Sequence, residues 1–69
     1  LGAMFIVQGR TESGASVTVN GERVVTDADG HFRKMIEIPR EGWNNIEVLA
    51  TDPAGNETRR QERVFVEVY

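Results

Sequence analysis

No stretch of this chain keeps a helical hydrophobic period. Short runs alternate apolar and polar residues instead, and each is cut off by a turn signal, the pattern of an all-β sandwich. Phe5, Val7 and Gly9 alternate with Met4, Ile6 and Gln8, so the first run is apolar on both faces. Val17 and Val19 share one face of the second run, and Asn20-Gly21 follows as a hairpin signal, because a two-residue type I′ turn needs positive φ at both positions. Val24 and Val25 continue into a short return strand, closed by Asp27-Ala28-Asp29-Gly30.

Phe32, Lys34, Ile36 and Ile38 then face one way, with Arg33, Met35 and Glu37 opposite. Pro39-Arg40-Glu41-Gly42 is expected to turn the chain, with Pro39 presetting φ. Ile46, Val48 and Ala50 face inward in the next strand, and Glu47, Leu49 and Thr51 face outward. Thr51–Thr58 makes a corner. Asp52 is expected to accept backbone N–H bonds across it, and Gly55-Asn56 to take left-handed conformations. Val64, Val66 and Val68 complete the core face of the last strand, leaving Phe65, Glu67 and Tyr69 outside. The reading is an immunoglobulin-like β-sandwich of six to seven antiparallel strands in two sheets, with Asn20, Gly21, Gly30, Asp52, Gly55 and Asn56 as its structural turn residues. No internal repeat is visible.

At 69 residues the chain holds one small domain with a modest core. It has no cysteine, so no disulfide or thiolate metal site reinforces it. A net charge of −3 argues against nucleic acid as partner, since such domains carry a basic face. No apolar run approaches a membrane span, and Leu1–Met4 is too short and uncharged for a signal peptide. Residues 1–4 read as linker or vector-derived residues, and residues 5–69 as a single module cut from a longer protein.

Three segments carry a recognisable pattern. Gly14-Ala15-Ser16-Val17-Thr18-Val19-Asn20-Gly21 is the first, and Asp27-Ala28-Asp29-Gly30-His31-Phe32 the second. The third is Gly42-Trp43-Asn44-Asn45-Ile46-Glu47-Val48-Leu49-Ala50-Thr51-Asp52-Pro53-Ala54-Gly55-Asn56. Together they resemble bacterial immunoglobulin-like modules similar to domain B of glucodextranase, over nearly the whole chain. The resemblance implies an extracytoplasmic bacterial protein, secreted, periplasmic or on the cell surface, in which the module is an accessory unit beside other domains. It implies a spacer or interaction role and no catalysis of its own. A fold that hosts many functions cannot name one. Trp43 departs from the pattern, standing where the family carries a small polar residue.

Chemistry on the chain itself is sparse. His31 is the one histidine and follows a turn, pointing to solvent, where a triad would need it beside a nucleophile. Asp27 and Asp29 open like a calcium loop, and Asp52 or Asn56 could complete a mixed site if their loops share one end. The twelfth position, where such a loop carries glutamate, is Ile38, and aspartates bonding their own turns explain the pattern more simply. No cofactor is expected. Lys34, the one lysine, could crosslink to Asn44 or Asn45, although a stem lying on the core with the ammonium in water is the simpler reading.

The residues expected to make contacts are Trp43, Met35, Leu49 and Phe65. Trp43 reads as a turn residue, where a tryptophan can anchor a protein partner or stack on a sugar. Met35, Leu49 and Phe65, with Ile6 and Tyr69, fall on outward parity and would form one apolar patch if their strands shared a sheet. The partners implied are neighbouring domains or a protein; the alternative is a carbohydrate-binding module using Trp43 with Asn44, Arg40 or Glu41.

Overall fold

The computed structural model describes residues 3–67. Val68 and Tyr69, expected on the last strand, lie outside the described residues. The described chain is all β: β1 (Ala3–Arg10), β2 (Ser16–Val19), β3 (Glu22–Val24), β4 (His31–Ile38), β5 (Gly42–Thr51) and β6 (Glu57–Val66). Ala3 and Met4 open the first strand, opposite Ile38 and Glu37.

The strands form two antiparallel sheets of unequal width, β1-β4 and β3-β2-β5-β6. They face each other as an immunoglobulin-like β-sandwich. The core follows from the alternation. Ala3, Phe5, Val7 and Ile36 of the narrow sheet pack against Val19, Ile46, Val48, Val64 and Val66 of the wide one. Val17 and Val19 are the most deeply buried side chains. Full burial of each contributes about 1.5–3 kcal/mol. No polar or charged residue is buried among the described ones.

Several turns explain themselves from sequence. Asn20 (φ 49°) and Gly21 (φ 82°) form the two-residue connection between β2 and β3, with the left-handed pair that a type I′ turn requires. The Asn20 side chain then ties this hairpin to β5, its Oδ1 accepting the Glu47 N–H at 2.8 Å. Gly30 (φ 87°) lies so close to the Thr11 carbonyl oxygen that an added Cβ would sit 1.9 Å from it. Only glycine fits there.

The loops after Val24 and after Thr51 have the same internal wiring. In one, Asp27 Oδ1 accepts the N–H groups of Asp29 (2.9 Å) and His31 (2.8 Å). In the other, Asp52 Oδ1 accepts those of Ala54 (2.9 Å) and Asn56 (2.8 Å). In both, the glycine at the fourth position donates to the aspartate carbonyl oxygen, and the aspartate N–H donates to the carbonyl of the fifth residue. The Asp-x-x-Gly-x loop is thus a geometric repeat. The fifth residue differs in how it meets the carboxylate: Asn56 donates its side-chain amide to Asp52 Oδ2 at 3.0 Å, while His31 Nδ1 lies 3.6 Å from Asp27 Oδ2. The left-handed conformation expected of Gly55-Asn56 falls on Gly55 alone (φ 91°); Asn56 serves through its side chain.

Candidate binding surface

Trp43 is the second residue of β5, not a turn residue. Gly42 (φ 93°) completes the bend after Ile38, so the strand begins one residue before the tryptophan. Its outward position places it opposite Phe65 of β6. Both rings are more than half exposed, 59% for Trp43 and 54% for Phe65. They meet edge to face, with centroids 5.2 Å apart and planes inclined by 66°, the arrangement that ring quadrupoles favour. The Arg63 guanidinium lies over the indole, 4.6 Å from its centroid, a cation–π contact. The result is a pre-ordered aromatic platform on the outer face of the wide sheet.

The other expected contact residues do not join it. Met35 is on the narrow sheet, where it pairs with Ile6 across β1 and β4. With Met4 these side chains, 49–57% exposed, make a separate apolar strip. Leu49 shares the outer face of β5 with Trp43 but stands six residues further along, about 20 Å away, half-buried between Thr18 and Arg59. The single patch of Met35, Leu49, Phe65 and Ile6 is therefore corrected to two: Trp43 and Phe65 on one sheet, Met35 and Ile6 on the other. Different sheets separate them, and sheet membership is a non-local property that outward parity does not encode. Nothing local in the sequence brings Arg63 to Trp43; the contact follows from the β5–β6 register, which places Arg63 opposite Asn45, two residues beyond the tryptophan on the same face.

The residues proposed to help Trp43 hold a sugar are arranged differently. Asn44 alternates to the opposite side of β5 from Trp43, and its amide donates to the carbonyl oxygens of Arg40 (2.9 Å) and Gly42 (3.1 Å). It fastens the Pro39–Gly42 bend. The same bonds set Asn44 apart from Lys34, whose ammonium reaches Glu22 at 3.4 Å across the rim of the core.

The loops between β1 and β2, β3 and β4, and β5 and β6 share one end of the sandwich. Here Asp27, Asp29 and His31 bring potential ligand atoms within 4.8 Å of one another, all exposed. Asp52 is not in that group. Asp27 already spends Oδ1 on two backbone N–H groups. The bond from the His31 N–H is the largest cause holding its carboxyl below the ordinary value, followed among the lowering causes by that from Asp29. The Asp52 carboxyl is lowered too, first by the Asn56 amide and then by the Asn56 N–H. Turn closure accounts for both acids. The nearby Ser13 hydroxyl donates to the Ala28 carbonyl oxygen at 3.0 Å.

A family model described as Glucodextranase, domain B, matches residues 4–68. The chain belongs to the glucodextranase domain B family. The match spans both sheets, the twin aspartate loops and the Trp43–Phe65 platform of this domain B. The family is one of accessory rather than catalytic domains. No curated protein and no solved structure matches the chain.

Proposed function

We propose that this domain B is a non-catalytic interaction module of a multidomain bacterial protein that works outside the cytoplasm, and that it docks on a neighbouring domain or protein partner through Trp43, Phe65 and Arg63. The observation that carries this reading is the exposed Trp43–Phe65 pair, held edge to face and capped by Arg63. Aromatic and arginine side chains dominate binding energy at interfaces, and a platform already fixed by mutual packing loses little freedom on docking.

Acrylamide quenching of Trp43 fluorescence tests this. Trp43 is the only tryptophan in the domain. Its quenching should fall when the domain sits in its parent protein or meets its partner, relative to the isolated domain. Equal quenching in both states would count against docking through this face. Carbohydrate binding by Trp43 is the second reading, favoured by the exposed indole; Asn44 does not support it. Polysaccharide titration separates the two: a saturable shift in Trp43 emission, lost in Trp43→Ala, would favour the sugar.

A further inference from the structure

The β2–β3 hairpin is fastened to β5 by a side chain as well as by its ladder. β2 pairs with β5 from Ser16↔Thr51 to Val19↔Val48. The next rung, Asn20 to Glu47, is half main chain and half side chain. The Asn20 N–H donates to the Glu47 carbonyl oxygen at 2.8 Å, and the Glu47 N–H donates to Asn20 Oδ1 at 2.8 Å. Asn20 has turned into the left-handed region (φ 49°), so its side-chain oxygen stands in for the main-chain oxygen that a ladder would use. The residue after it is Gly21, and no other asparagine of the chain precedes a glycine. Both residues are exposed. No atom lies within 4 Å of where a Gly21 Cβ would stand, and the Gly21 N–H donates no hydrogen bond among the described residues.

We propose that Asn20-Gly21 is a self-modification site, and that the Asn20–Glu47 bond is its lock. An asparagine side chain and the next main-chain nitrogen can close a five-membered ring, and a following glycine, lacking a side chain, leaves that approach open. Once Oδ1 leaves Glu47, the Gly21 nitrogen, giving up its proton to base, attacks Asn20 Cγ. The Cγ–Nδ2 bond breaks and ammonia departs, leaving a succinimide. Water then opens the ring at either carbonyl. One product is aspartate; the other is isoaspartate, with the main chain routed through Cγ. While Oδ1 is held at β5 the side chain cannot swing over the Gly21 nitrogen, so the lock sets the rate. Asn44, Asn45 and Asn56 are followed by Asn45, Ile46 and Glu57, whose side chains crowd the same approach. Isoaspartate lengthens the main chain inside a turn whose left-handed pair already fits two residues, and the rung to Glu47 is lost. The effect reaches the core, because β2 carries Val17 and Val19, the most deeply buried side chains.

The test incubates the intact chain beside a blocked Thr18–Arg23 peptide at mildly alkaline pH. Peptide mapping by mass spectrometry and an isoaspartate methyltransferase assay follow each asparagine, and NMR follows exchange of the Glu47 amide. Asn20 should be the asparagine that reacts in the intact chain, at least about fivefold more slowly than in the peptide, the factor that one net hydrogen bond supports. In the isoaspartate form the Glu47 amide should exchange about tenfold faster or more. Asn20→Asp retains an Oδ1 acceptor and should keep that amide protected, which separates the rerouted main chain from the added charge. Equal rates in chain and peptide would overturn the lock. An Asn20 still intact after about a hundred peptide half-lives would overturn the site, and unchanged Glu47 exchange in the isoaspartate form would overturn its effect on the hairpin.

Discussion

Single residues in this domain carry outsized structural weight because the core is thin. At 69 residues the whole stability is about 3–10 kcal/mol. Gly30 shows the consequence. A side chain there would suffer both the positive φ and a collision with the Thr11 carbonyl. The conformational cost alone is about 1–3 kcal/mol, and the collision also disturbs the Thr11 N–H bond to the Gly30 carbonyl, now 2.8 Å. Gly30→Ala should therefore remove a large share of the stability, read as a sharp fall in the urea midpoint. A midpoint within error of the parent would show that the loop relaxes freely. Gly9 is a gentler case, since a Cβ there would meet the far end of the Phe32 ring at 2.9 Å. The ring lies across the glycine and fills the space that a larger residue would take.

At the scale of elements, the twin Asp-x-x-Gly-x loops make a pH prediction. Both aspartates have folded-state pKa values lowered from 3.8. A carboxyl more acidic when folded contributes stability that is fully present above the unfolded value and lost as pH falls through the folded one. Tm should hold above pH 3.8 and drop below it. Asparagine keeps the Oδ1 acceptor but not the titration, so D27N/D52N should flatten that acid limb while preserving the loops. An acid limb unaltered in the double variant would place the responsible groups elsewhere. How far such elements were legible depends on range. The alternation of Phe32, Lys34, Ile36 and Ile38 gave the inward face, because a strand's period is local. The five-residue loop also fixes the β5–β6 register: counting outward from Thr51 and Glu57 brings Trp43 to Phe65. Taking Trp43 as a turn residue hides that pairing, because a turn residue has no cross-strand partner. The pairing of Ile6 with Met35 had no comparable signal, since β1 and β4 meet only after two intervening strands.

As a whole molecule the domain is elongated. Its radius of gyration is 13.1 Å, against about 11 Å for a compact chain of this length, and its extents are 44 × 19 × 15 Å. The length comes from the β5–β6 hairpin, ten pairs from Gly42↔Val66 to Thr51↔Glu57. Because Ala3 and Val66 sit at the same end of this rod, tension applied between them does not run along the strands. It peels β1 from β4 at Ala3 and β6 from β5 at Val66, loading the hydrogen bonds of each ladder one after another, each worth only about 1 kcal/mol net. The molecule should open like a zip. In an optical trap, handles at Ala3→Cys and Glu67→Cys should release it at a lower force than handles at Ala3→Cys and Ala54→Cys, which pull along the rod and load many bonds at once. Equal rupture forces would refute this. Loaded from that end, the β5–β6 hairpin should come apart toward the Thr51–Glu57 corner, with the Asp52 loop the last part to open.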